Sequence, residues 1–244
     1  MNERGFDQIR AAFDRRYRIK KQTNLCVSLL IVILGIASIL YIFIRDGDGP
    51  LTFRWLTVDG TMFTVAGSLV FIAVNLVEMQ KQTELTSVLV YYIRLACAVA
   101  ECIIMFVVLV SQLPLFPEHM HIARFDMFNM HILIPVLTVA SFVLNDSPIG
   151  KVPPKKRLHG TWYVTIYAVI IITLINTGVI RREMIPYDFL DFSGSPLWYV
   201  LFAVLFVYGL GYLLSWGLSI LNRRLSWTWF YGIAGNKGKK RRGG

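Results

Sequence analysis

Charge is what this chain lacks. Of its 244 residues only 16% are Asp, Glu, Lys or Arg, against 55% hydrophobic, a balance that a water-soluble domain of this size does not keep in solution. Cysteine is also scarce. Cys26, Cys97 and Cys102 all fall in apolar stretches, which excludes a disulfide framework and leaves the redox compartment unread. No small-residue cleavage pattern follows the first apolar run, which is too long for a secretory leader, so that segment is expected to stay as an anchor. Nor is there a convincing repeat across the Pro-rich stretch 147–157.

What is present is apolar length. A hydrocarbon core of about 30 Å needs about 20 apolar residues in helical form. Six segments approach or meet that, near 25–44, 58–78, 87–111, 129–145, 161–180 and 197–221. The expectation is an all-α, polytopic integral membrane protein. Its six-helix domain would occupy 25–224, between a basic N-terminal segment, 1–24, and a basic tail, 225–244.

The formal charge of +10 would ordinarily suggest nucleic acid. Its distribution suggests otherwise. Arg4, Arg10, Arg15, Arg16, Arg18, Lys20 and Lys21 precede the first span, Lys151, Lys155, Lys156 and Arg157 follow the fourth, and Lys237, Lys239, Lys240, Arg241 and Arg242 end the chain. The loop after the second span adds Lys81, and the other three loops hold only Arg45, Arg54, Arg124, Arg181 and Arg182. The positive-inside rule then places both termini in the cytoplasm of a multi-pass cell-membrane protein. Phe6, Ile9, Phe13 and Tyr17 recur at helical spacing among the N-terminal charges, the pattern either of a helix lying in the headgroups or of a flank that only sets topology. Anionic lipid is the expected partner of this segment and of the tail, and no nucleic acid is expected. Oligomeric state is not legible.

Polar residues inside the spans carry the functional signal. Arg94 and Glu101 share a face of helix 3, but seven residues separate them by about 10 Å of helix rise, too far for an ion pair. Glu101 must find a partner on another helix, hold a proton, or line a wet cavity. Asn75 in helix 2 is expected to make an interhelical hydrogen bond. His119, His121 and His131 raise the question of zinc, but an i, i+2 pair in a proline-bounded loop is not a metal signature, and neither metal nor cofactor is expected. His131 opens helix 4, and Pro135 removes the amide that would bond its carbonyl. Helix 6 carries Gly209, Gly211, Ser215 and Gly217, which permit close helix approach.

Three motifs together resemble a known family. Leu56-Thr57-Val58 opens helix 2, Met130-His131 with Pro135 opens helix 4, and Pro186-Tyr187-Asp188-Phe189-Leu190-Asp191 precedes helix 6. In this layout, from about Phe53 to Arg224, the chain is similar to the androgen-induced-protein family of membrane fatty-acid-ester hydrolases, and more closely to its bacterial six-helix relatives. The resemblance implies a threonine nucleophile, Thr57, and a histidine, His131, acting on lipids in which one fatty acid is esterified to the hydroxyl of another. Pro135 stands one residue nearer the histidine than in the animal enzymes, and Arg94 and Glu101 have no counterpart there.

A threonine hydroxyl needs a base within hydrogen-bond reach, and histidine is the usual one. Both residues are expected at the outer leaflet boundary, with membrane lipid as substrate or ligand. An oxyanion donor is sought in a free amide near Gly60 or in Asn129 or Asn176. Asp59 and Asp188 are candidates to orient the histidine by depth alone, and Tyr187 stands beside them. Two alternatives stay open. One is a non-enzymatic lipid- or solute-binding protein or transporter with a polar path through Arg94, Glu101 and His131. The other is a scaffold subunit using the small-residue face of helix 6.

Overall fold

The computed structural model describes residues 3–47, 49–81, 83, 85–115, 121–145, 154–192 and 194–231. Among these there is no strand, and six helices are long and apolar enough to cross a membrane. They are α1 (Glu3–Asp46), α2 (Leu56–Lys81), α3 (Val88–Val107), α4 (Phe125–Asn145), α5 (Trp162–Asn176) and α6 (Leu197–Tyr231). The tail 232–244 and the basic linker 146–153 lie outside the described residues, as does His119.

Helix α3 is central: 67% of its apolar window is buried, against 11% for α6, whose large apolar side chains face outward. The helices pack antiparallel in sequence. Lys21 of α1 meets Glu78 near the end of α2, while Gly35 lies against Thr61 and Val65. Phe71 of α2 covers Arg94 of α3, and Arg94 in turn reaches Ser141 near the end of α4. This alternation puts one end of the bundle at Lys21 and Glu78 and the opposite end at the loop before Leu56.

Each end is tied by charge. At the first, buried Glu78 takes Lys21 and also accepts from the amides of Leu85 and Thr86 and from Thr86 Oγ1. At the other, Asp126, 1% exposed, accepts from Arg45 at 3.1 Å and from Arg124 at 2.6 Å. That second network explains why α4 starts at Phe125 and not near Asn129: the aspartate that reads as a loop residue is neutralised by two arginines and enters the helix.

Two other junctions are set by packing. From Glu3 onward the basic N-terminal segment is continuous with the first span in α1, and Lys20, Lys21 and Asn24 are buried against the bundle. The fifth span enters as a 3-10 segment, Pro154–Thr161, before α5 begins. There Gly160 donates its amide to Ser215 Oγ at 3.0 Å. A Cβ at that glycine would stand 2.5 Å from Ser215 Oγ, 2.9 Å from Val99 and 3.1 Å from Leu95. Gly160→Ala is therefore expected to destabilise by about 1–3 kcal/mol through overpacking. Gly209→Ala, whose Cβ meets nothing within 4 Å, serves as the neutral control in the same micellar unfolding assay. The small residues of α6 divide the same way: Gly211 and Ser215 pack on Thr161 and Gly160, whereas Gly209 and Gly217 face open space.

Candidate active site

The start of α2 is held by three tyrosines. Tyr167 of α5 donates to the carbonyl of Arg54. The amide of Leu56 donates to Tyr187 Oη at 3.2 Å, and Tyr163 donates to Asp59 Oδ2 at 2.6 Å. Tyr163 also stacks on Phe63, one turn further along α2, with centroids 3.9 Å apart. Burial pushes the Tyr187 hydroxyl up to about 12, so it keeps its proton throughout the physiological range. Residues on both sides of Thr57 are thus fixed to α5 and the loop after it. A hydrogen bond to a charged group contributes about 1.5–3 kcal/mol and a neutral one about 0.5–1.5. Tyr163→Phe is accordingly expected to lower stability by more than Tyr167→Phe does, measured by denaturant titration of the two variants side by side.

Thr57 itself is half-buried. Helix starts leave amides without intrahelical acceptors. Here the Leu56 amide goes to Tyr187 and the Asp59 amide to the Trp55 carbonyl, which leaves those of Thr57 and Val58 without a partner among the described hydrogen bonds. Two backbone donors are therefore left at Thr57 and the residue after it. Gly60, inside the helix and packed against Ile104, does not supply the free amide sought there.

His131 reaches the same end from α4, within a π-helical turn at Asn129–Leu133 that closes when the Ile134 amide bonds the Asn129 carbonyl. The wide turn absorbs the missing amide of Pro135. His131 is 6% exposed, and its Nδ1 lies 2.9 Å from the Met127 carbonyl. A carbonyl only accepts, so Nδ1 carries the proton and Nε2 is the acceptor. Helices α2 and α4 cross where Val58 packs with Met130 and Ile42. Thr57 and His131 are each one residue from that contact, though no hydrogen bond joins them among the described residues.

The other candidates are placed as follows. Asn129 donates to Ser38 of α1 at 3.3 Å, and so serves the α1–α4 contact. Asn176 is exposed and lines a groove of about 600 Å³ with Arg181, Arg182, Asp191 and Phe192. Asp59 is engaged by Tyr163. The side chain of Asp188 lies outside the described residues. Arg94 stacks over Phe71 at 4.6 Å and donates to Ser141 at 2.7 Å, making no ion pair with Glu101. Both Arg94 and Glu101 lie deeper in the bundle than His131. Asn75 is buried with neither side-chain atom hydrogen-bonded, contrary to expectation. Among the described residues no group of three or more His, Cys, Asp or Glu side chains is placed to hold a metal ion.

Sequence reasoning missed the Met127 carbonyl, which leaves no trace in residue type. It also missed Tyr163 and Tyr167, although their i, i+4 spacing marks one face of α5. No family model, no curated protein and no solved structure matches the chain.

Proposed function

We propose that the protein is a membrane lipid-ester hydrolase or acyl-transfer enzyme in which Thr57 is the nucleophile and His131 the general base. The observation that supports this reading is the histidine tautomer: a buried imidazole with Nδ1–H held by the Met127 carbonyl keeps Nε2 as the basic nitrogen, on a helix that packs against α2 through Met130 and Val58, the sequence neighbours of His131 and Thr57. That arrangement does for His131 what a carboxylate does in a serine triad, fixing ring and tautomer.

In this mechanism His131 Nε2 takes the Thr57 proton as Oγ1 attacks the ester carbonyl. The amides of Thr57 and Val58 receive the oxyanion. Collapse expels the alcohol, protonated by His131, and leaves an acyl-threonine. Water, deprotonated by the same ring, releases the acid and restores the hydroxyl. The acyl chain would lie against the apolar helix surface, with both termini cytoplasmic and the Thr57 end at the outer leaflet of the cell membrane. The likeness to the androgen-induced-protein hydrolases agrees with this chemistry and with a fatty-acid ester as substrate. Covalent labelling by a fluorophosphonate tests it: wild type should react and Thr57→Ala should not, and equal labelling of the two would overturn it.

A second reading, binding or transport of a solute along the polar interior, is favoured by one observation, the buried side chains of Arg94, Glu101 and Ser141 between α3 and α4. Flux of solute through proteoliposomes, absent in the first reading, separates the two.

A further inference from the structure

The groove beside Asn176 takes no part in either reading of the Thr57 end. Its shape follows from how α5 stops. Gly178, at φ +75°, turns the chain out of the helix, and the Ile180 amide bonds back to the Leu174 carbonyl at 3.1 Å. Ile180 is buried by that turn, and the next two residues, Arg181 and Arg182, come to the groove that Asn176 lines. The space is about 600 Å³, apolar at Ile175, Ile180 and Ile185 and charged or aromatic at Arg181, Arg182, Asp191 and Phe192. A volume of that order suits a small ligand.

The charges around it come in matched pairs. Arg182 Nε donates to Asp191 Oδ2 at 3.0 Å, and Arg181 stands 3.7 Å from Glu183. The loop backbone keeps the first pair in place: the Gly194 amide donates to Asp191 Oδ1 at 3.0 Å, and a Cβ there would collide with both Arg182 Nη2 and Asp191 Oδ2. The rim is therefore dipolar. It has no net charge to gather an anion, yet it sets guanidinium donors and a carboxylate side by side. A purely anionic headgroup would meet Asp191 as a like charge, and a purely cationic one would meet two arginines. A zwitterion satisfies both. Guanidinium is suited to phosphate, while an ammonium finds Asp191, the exposed ring of Phe192 and the negative end of α5.

The surface leading to the groove supplies the apolar half of the same chemistry. Ile166, Val169, Ile170 and Thr173 are exposed on α5 at i, i+3, i+4 and i+7, which is one face of a helix, and Asn176 continues it. The rise from Ile166 to Asn176 is about 15 Å, half of a hydrocarbon core of about 30 Å. An acyl chain of one leaflet thus matches the stripe while its headgroup fills the groove.

We propose that the stripe and groove hold one zwitterionic phospholipid, its phosphate on Arg181 and Arg182 and its ammonium at Asp191 and Phe192. The site is independent of whether Thr57 is a nucleophile.

The test is native mass spectrometry of the full chain in an uncharged detergent. Phosphatidylethanolamine, phosphatidylcholine and phosphatidylglycerol of matched acyl chains are added in turn at equal concentration. Wild type is expected to retain a single phosphatidylethanolamine or phosphatidylcholine at several-fold higher occupancy than phosphatidylglycerol. Arg181→Ala removes an exposed side chain that the fold does not rely on, and should lower that occupancy several-fold. Asp191→Asn keeps an acceptor for the Gly194 amide but leaves the rim positive, so it should reverse the order and favour phosphatidylglycerol. Misfolding would lower all three and reverse nothing. Arg223→Ala, exposed toward the far end of α6, should leave the preference intact. Phosphatidylglycerol retained by wild type as well as the zwitterionic lipids, or better, overturns the proposal. So does retention of no lipid, or a preference that neither Asp191→Asn nor Arg181→Ala alters.

Discussion

His131→Asn is expected to slow covalent labelling of the protein by about 100- to 10,000-fold, the contribution of a positioned general base, while leaving the fold intact. The asparagine side-chain amide stands where Nδ1 stood and donates to the Met127 carbonyl, so the local hydrogen bond survives. It has no basic nitrogen at the Nε2 position. His131→Gln reverses the geometry, placing its polar end nearer Nε2 and leaving the carbonyl unmet, and should lose both labelling and some stability. If His131→Asn labels at the wild-type rate, the histidine is not the base, whatever its position. A structural role alone would show the opposite pattern, with melting affected and labelling spared.

The second large effect concerns the other end of the bundle. Breaking a buried ion pair by removing one member costs about 3–5 kcal/mol, because the survivor is left charged and dry. Lys21→Met is expected to destabilise by that much, since Glu78 then keeps only the donors from Leu85 and Thr86. Glu78→Met should cost more. It strands Lys21 and also the amides of Leu85 and Thr86, which the carboxylate now satisfies. The double variant is expected to recover part of the loss, as apolar replacements of buried pairs do, but not the part due to the amides. Denaturant titration of the four proteins gives the cycle. Single-variant losses below about 1 kcal/mol, the value of a solvated surface pair, would show that water reaches this pair.

The architecture was legible because apolar length is a strong signal in a chain with so little charge. Six spans were expected and six helices are long enough. Boundaries were less legible wherever tertiary contacts neutralise a residue that reads as polar. Asp126 is one case: alone it marks a loop, but with Arg45 and Arg124 it becomes the first turn of α4. Lys21 is another, a topology charge by sequence and half of a buried pair in the fold. The proline and glycine around 148–160 announced a break, yet nothing in residue order says that the chain re-enters as a 3-10 segment packed on Ser215.

The candidate site divides in the same way. Thr57 and His131 were readable as residue types at helix starts. What equips them was not: the imidazole is oriented by a backbone carbonyl, and the donors beside the threonine are backbone amides, both set by helix geometry. Asn129, a reasonable oxyanion donor by position, is taken by Ser38. Asp59, a reasonable orienting carboxylate, is taken by Tyr163. Each is a side chain of suitable chemistry claimed by a neighbour that distance in sequence concealed.

The most direct measurement is the position of the adduct. Protein labelled with a fluorophosphonate, digested and mapped by mass spectrometry, is expected to carry the phosphonyl group on Thr57, in wild type and not in His131→Asn. An adduct on any other hydroxyl, or equal occupancy of Thr57 in both proteins, contradicts the account.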